Sequence, residues 1–261
     1  MKANLYTIKT LTNLHVGSGD INFDIIDNQV QKDRFLPIIH SSSLKGALRE
    51  HFSKRGDNFI NFIFGGEDDE KKEGAISFFE SKLLTRPVRS NVKPYFSATT
   101  PEIIKGLIET IKTFNINYAK LDELEKFYNK IKSLDKITIF SKDNLDEVYL
   151  EDKKVKVEKK SFDIDFLKDI AVYPYKEFIK LELPVIARNK LNNGKNLWYE
   201  EVVPSESLFY VILLQPDNID NSDKDKINQF LRSFEKEKIF QIGANKSIGY
   251  GFCRFKRISD E

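Results

Sequence analysis

The chain of 261 residues sets 42 Lys+Arg against 40 Asp+Glu, a formal net charge of +2, and contains Cys, Met and Trp once each. That length suits one large domain or two small ones, and 31% charged with 40% hydrophobic residues excludes a disordered chain. One Cys excludes an intrachain disulfide framework and a Cys-based zinc site, and it points to a reducing cytoplasm. The opening MKANLYTIKT has no apolar h-region, and the longest strongly apolar run, 208–214, is too short to cross a bilayer, so no membrane partner is expected. The near-neutral charge gives no global attraction for a polyanion. Any nucleic-acid binding must rest on where the cations sit.

In chain order, residues 7–12 read as a first strand, ended by the turn chemistry of His15-Val16-Gly17-Ser18-Gly19-Asp20. A short extended piece over 23–27 and a polar stretch over 29–35 follow. Pro37-Ile38-Ile39 then leads to the serine triplet 41–43, read as the N-cap of a helix with Leu44, Ala47, Leu48 and His51/Phe52 on its apolar face. Residues 74–84 look like a strand turning at Arg86-Pro87-Val88-Arg89. Thr100 as N-cap and Pro101 at the first helical position open a helix carrying Ile103, Ile104, Leu107, Ile108 and Ile111. A second helix is expected over 121–134, and 136–160 is β-prone and highly charged. Strands are expected within 202–214 and 249–258, and a helix capped by Ser222 over 223–234. Strands and helices without strict alternation argue for an α+β domain around an antiparallel sheet. The acidic run Glu67-Asp68-Asp69-Glu70 lacks the ligand spacing of a calcium loop and reads as a solvated loop.

Three features stand apart from core-building. Ser41-Ser42-Ser43-Leu44-Lys45-Gly46-Ala47-Leu48-Arg49 puts Lys45 and Arg49 on one helical face beside an N-terminus that attracts anions, with Gly46 permitting close backbone approach. An ordinary amphipathic helix with solvated cations has the same pattern. Gly243-Ala244-Asn245-Lys246-Ser247-Ile248-Gly249-Tyr250-Gly251 matches neither a phosphate-binding P-loop nor a dinucleotide fingerprint; it is either a backbone cradle for phosphate or a tight connection to a strand. His15 and Asp27 flank the first glycine turn, as catalysts of RNA cleavage or as structural turn residues.

These stretches recur together, in this order, in one family. With Leu36-Pro37-Ile38-Ile39-His40 before the serines and Gln241-Ile242 before the terminal loop, they resemble the RAMP superfamily of CRISPR proteins. Asp27-Asn28-Gln29-Val30-Gln31-Lys32-Asp33, Phe64-Gly65-Gly66, Arg86-Pro87-Val88-Arg89-Ser90 and Leu197-Trp198-Tyr199-Glu200-Glu201 with Pro204 are similar to the repeated backbone subunit of the type III-B (Cmr) RNA-guided complex, with the type III-A backbone subunit next.

The resemblance implies an α+β fold, a modified RNA-recognition-motif (ferredoxin-like) palm with an antiparallel sheet, helical insertions and a β-hairpin thumb. It implies a single domain over 1–261, with a helical insertion about 97–135 and the thumb about 183–200; residues 136–160 are a second candidate hairpin. Implied partners are a CRISPR guide RNA, a target RNA, further copies of the chain and other Cmr subunits. The implied activity is target RNA cleavage at regular intervals in the assembled complex, assisted by a divalent metal such as Mg²⁺ that is not expected to be held without RNA. Asp27 matches the cleaving aspartate, His15 a position linked to cleavage and Glu200 an assisting acid; Val202 stands where the family has Tyr. Ser41, Ser43, Lys45 and Arg49 would supply one side of a phosphate stripe, and Gly243, Asn245 and Lys246 the other. At the thumb, Ile186 or Leu191 would wedge between bases. A non-cleaving RNA scaffold and a stand-alone processing endoribonuclease of the same superfamily are the competing readings.

Overall fold

The computed structural model describes residues 1–19, 26–66, 73–190, 196–217 and 219–259. Its elements in chain order begin with β1 (Lys2–Thr10), β2 (Lys32–Asp33), β3 (Leu36–Ile39), α1 (Ser41–Ser53), α2 (Ile60–Phe64), β4 (Ser77–Phe78), β5 (Ser81–Arg89) and β6 (Tyr95–Thr99). There follow α3 (Pro101–Thr113), α4 (Leu121–Ile131), β7 (Thr138–Ser141), β8 (Tyr149–Leu150), β9 (Lys153–Lys154), β10 (Lys156–Lys159), β11 (Ile170–Val172) and α5 (Tyr175–Phe178). The last are β12 (Val185–Lys190), β13 (Asn196–Glu201), β14 (Leu208–Gln215), α6 (Asn221–Glu237), β15 (Ile239–Gln241) and β16 (Phe252–Arg257). Two compact units result: Met1–Lys82 with Leu183–Ser205 and Phe209–Ile258, and Leu83–Glu182 with Glu206–Leu208 and Ser259–Glu261.

In the first unit the strands lie in the order β14-β1-β16-β15. β1 and β16 pair antiparallel from Tyr6↔Arg257 to Thr10↔Cys253, β15 pairs antiparallel with β16, and β4 adds antiparallel to β14. α1 buries Leu44, Leu48 and Phe52, and α6 buries Ile227, Phe230 and Phe234, each a single stripe at helical spacing. The stripes meet in an aromatic core: Phe52–Phe230 at 5.5 Å between centroids, Phe230–Phe234 at 5.7 Å, Phe234–Phe240 at 5.0 Å and Phe240–Phe255 at 5.3 Å. Such ring pairs add about 0.5–1.5 kcal/mol each beyond the area they bury.

The second unit orders its strands β10-β7-β11-β6-β5. β7 and β11 run antiparallel, whereas β10–β7 and β11–β6 are parallel. Residues 136–160 contain one short antiparallel hairpin, β8–β9, while β7 and β10 at the two ends of that stretch pair in parallel. α4 buries Leu124, Phe127 and Ile131, and Phe127 meets Phe162 at 4.6 Å.

Several local expectations shift. The serine triplet lies inside α1 rather than capping it; His40 holds the cap position without a side-chain bond. α6 starts earlier than expected, because the Asp220 carboxylate accepts from the Asp223 N–H at 2.9 Å and Ser222 lies inside the helix. β5 continues through Arg86-Pro87-Val88, which pair with β6 (Pro87↔Ser97), so the expected turn is strand. Thr100 caps α3 as expected, its Oγ1 accepting from Ile103 N–H at 3.3 Å. Residues 20–25, the 67–72 charge run and 191–195 lie outside the described residues, and with them part of the 23–27 piece, the wedge candidate Leu191 and Asn193-Gly194.

Candidate functional site

The candidate residues converge on the end of β13, within the first unit. β12 and β13 pair antiparallel from Val185↔Glu201 to Lys190↔Asn196. At the base of this hairpin, Tyr199, Glu200 and Glu201 receive three distant segments. The Asp27 carboxylate accepts from the Tyr199 N–H at 2.7 Å, and Asn28 continues alongside, its N–H to the Tyr199 carbonyl at 3.1 Å and its carbonyl taking the Glu201 N–H at 2.9 Å. Asp27 itself is exposed.

His15 comes to the same place from the first glycine turn. Its ring is buried (5% exposed), and Nδ1 lies 2.7 Å from the Glu201 carbonyl oxygen. A carbonyl only accepts, so Nδ1 carries the proton and, in the neutral ring, Nε2 keeps the lone pair. A Cβ on Gly17 would lie 3.3 Å from that Nε2, so glycine leaves room for the ring.

Glu200 is 3% exposed, and both of its oxygens are engaged: Arg188 Nε donates to Oε2 and the Asn245 amide to Oε1. His15 Nδ1 lies 3.7 Å from Oε1. The Arg188 guanidinium also lies over the Tyr250 ring, 4.8 Å from its centroid. Removing one partner of a buried ion pair costs about 3–5 kcal/mol, because the other charge is left uncompensated.

The third segment, Gly243–Gly251, wraps under this cluster. Gly243 has φ +81°, and a Cβ there would sit 2.3 Å from the His15 carbonyl oxygen, which accepts from the Ala244 N–H at 2.9 Å. Only glycine takes both the conformation and the contact. Asn245 is left-handed at φ 62°, and Lys246–Ile248 forms one short 3₁₀ turn.

The proposed phosphate stripe is partly committed within the chain. Ser41 is exposed; Ser43 Oγ accepts from Gln31 Nε2 at 3.0 Å. Lys45 is half-buried, and Arg49 donates to the Gly65 carbonyl at 3.0 Å. The reading of Arg49 as a solvated cation is corrected accordingly: it closes the C-terminal end of α2. Asn245 is likewise turned inward to Glu200. Lys246 pairs with Glu50, which ties the terminal loop to α1, and with hydrogen bonds from Lys246 and Lys54 the Glu50 carboxyl is held down at about 2. At the hairpin, Ile186 is half-buried on the face it shares with Glu200; the exposed apolar residues are Leu197 (60%), Val185 (44%) and Tyr199 (38%) on the opposite face.

Sequence reasoning missed four residues that hold the site. Gln31 donates to the Gly17 carbonyl at 3.1 Å and accepts from the His40 N–H at 2.8 Å, tying the first turn to the start of α1. Glu201, passed over for its neighbour, accepts from Val30 N–H at 3.2 Å and from Lys32 at 2.6 Å. Arg188 and Tyr250 complete the Glu200 cluster. Paired acids at a strand's end were the available signal.

The sequence profile of the RAMP superfamily matches residues 7–254. This chain belongs to the RAMP superfamily. Among known RAMP relatives, the CRISPR system Cmr endoribonuclease Cmr4 of Pyrococcus furiosus is 29% identical across 97% of this chain and 95% of its own. The crystal structure of oligomeric Cmr4 from Pyrococcus furiosus superposes with a TM-score of 0.72 at 25% identity over 99% of both chains. A chain of the type III-B Cmr-beta complex bound to cognate target RNA shares this RAMP fold with a TM-score of 0.82 at 22% identity, covering 99% of this chain and 98% of that one.

Proposed function

We propose that this chain is the repeated backbone subunit of a type III-B CRISPR complex in the cytoplasm, where it holds the guide RNA in head-to-tail copies and cleaves complementary target RNA at regular intervals. The likeness to an endoribonuclease and to an oligomeric Cmr4 along nearly the whole chain supports this reading. The observation that carries it is the convergence of segments 15–18, 27–32 and 241–251 on Tyr199, Glu200 and Glu201. Segments as distant in sequence as those of His15 and Ala244 build one site, with an exposed carboxylate, Asp27, at its edge.

Cleavage by this site needs the target's own 2′-hydroxyl. A bond forms from the 2′-oxygen to phosphorus as its proton leaves, and the bond from phosphorus to the 5′-oxygen breaks as that oxygen gains a proton, leaving a 2′,3′-cyclic phosphate. In this proposal Asp27 orients or deprotonates the 2′-hydroxyl. Guide contacts run through phosphates, so they are independent of sequence and base pairing does the reading. Among the described residues no group of three or more His, Cys, Asp or Glu stands ready for a metal ion, and one Asp27 oxygen already serves the Tyr199 N–H. The residues thus fit a hydrated divalent ion only as a single carboxylate ligand, with RNA phosphates completing the set. Such an ion, when bound, would neutralise charge at the phosphate.

The Asp27–Tyr199 hydrogen bond also favours a second reading, in which Asp27 is structural and the subunit a non-cleaving scaffold. Asp27→Asn keeps an acceptor for Tyr199 but loses the charge, and Asp27→Ala loses both. In complex assembled with guide RNA and Mg²⁺, both variants are expected to bind target normally and lose cleavage by at least about a hundredfold. Normal cleavage by Asp27→Ala would make Asp27 a structural residue and overturn its role in cleavage.

A further inference from the structure

We infer that Arg188 and Glu200 form a positioning clamp that sets the site, with Glu200 serving as an acceptor of hydrogen bonds and not as a carrier of protons; this rests on the cleaving function proposed above. The hairpin register places Glu200 opposite Ile186, two residues from Arg188 on the same face, so the pair is a diagonal cross-strand contact built into the hairpin itself. The Glu200 side chain is 4% exposed and that of Arg188 19%, and the guanidinium lies over Tyr250, which restrains its direction.

The two Glu200 oxygens face different tasks. Oε2 takes the Arg188 N–H, and Oε1 takes the Asn245 amide, the residue that turns the glycine-rich loop left-handed. Tyr250, from the far end of the same loop, receives the guanidinium. One carboxylate and one guanidinium therefore grip both ends of that loop, while the same loop's Ala244 N–H binds the His15 carbonyl. Buried at 3% exposure with a donor on each oxygen, this carboxylate is closed off from a substrate, and it fixes where the loop and His15 stand. Displacements near 1 Å from such supporting contacts can cost about a hundredfold in rate.

The test uses the assembled, guide-loaded complex with Mg²⁺, measuring the first-order cleavage rate at saturating target alongside target affinity. Arg188→Ala is expected to lower the rate at least about tenfold with affinity within about twofold, and Arg188→Lys to recover part of the loss. Combining Arg188→Ala with Glu200→Gln is expected to be no slower than the slower single variant, as for residues acting as one unit. Glu200→Gln is expected to keep the shape of the wild-type pH–rate profile; this holds the clamp to account even where Arg188→Ala fails to assemble. A wild-type rate in Arg188→Ala, multiplicative losses in the double variant, or a limb of the profile that vanishes in Glu200→Gln would each overturn the clamp. A wild-type complex that never cuts target overturns the cleaving function and the clamp together, whereas the other outcomes count against the clamp alone.

Discussion

Gly46 and Gly251 answer opposite demands. At Gly251, φ is +80° and a Cβ would fall 1.9 Å from the Ile242 carbonyl oxygen, so no other residue fits without moving the β15–β16 connection. Gly251→Ala is expected to cost at least about 2 kcal/mol, from the left-handed backbone and the clash together. Gly46 lies within α1 with nothing within 4 Å of an added Cβ. The protein itself makes no demand for glycine there, and Gly46→Ala is expected to raise stability by about 0.5–1 kcal/mol. Urea midpoints at unchanged slope measure both changes. If the open space above Gly46 is where the guide backbone runs, the same stabilised variant binds guide RNA more weakly; unchanged affinity removes Gly46 from the track.

At the scale of elements, the β12–β13 hairpin separates two jobs by its pleat. Its inner face carries Ile186, Arg188 and Glu200 toward the site, and its outer face, beyond the buried Glu201 at the base, leaves Val185, Leu197 and Tyr199 in solvent. If the outer face is what meets the guide–target duplex, Leu197→Ser should slow target cleavage in the complex several-fold while leaving the melting temperature unchanged, since an exposed side chain contributes little to folding. A fall in melting temperature without a change in cleavage would make the outer face structural. The elements also differ in how far their sequence declared them. α3 could be read directly, because its cap, first-turn proline and apolar spacing are local facts. The apolar face of α1 was equally plain, but its cap was not, since any serine of the triplet could have taken that place. The β7–β10 parallel pairing and the passage of β5 through Pro87 depend on partner strands that no local pattern names. The site divides in the same way. His15 and Asp27 were found by their motifs, whereas the Gln31 contacts to Gly17, His40 and Ser43 and the grip of Arg188 on Tyr250 exist only once distant segments have folded together.

For the whole molecule, a charge of +2 spread evenly would attract no RNA, and a chain that stacks on its own copies would suffer from a large one. A narrow track in a near-neutral chain needs only a few cations held in one place. In the proposed track Lys45 of α1 is one cation and Lys246 another, and Glu50 is a built-in counter-charge paired to Lys246. Each phosphate neutralised by a cation releases bound salt ions, so the dependence of guide affinity on salt counts the cations in the track. Lys45→Ala is expected to weaken guide binding and reduce the salt slope by about one unit. Glu50→Gln should do the reverse, strengthening binding and steepening the slope by up to about one unit, because Lys246 is released to the RNA. Acid should not imitate that substitution. With its carboxyl held at about 2 by Lys246 and Lys54, Glu50 stays charged from pH 7 to pH 5, and its ion pair, present above its ordinary value, is lost only as pH falls through that low value. Guide titrations in a salt series at pH 7 and pH 5 therefore separate the two sides of the track: the Glu50→Gln difference should be the same at both. A slope untouched by either substitution would place the guide elsewhere on the molecule.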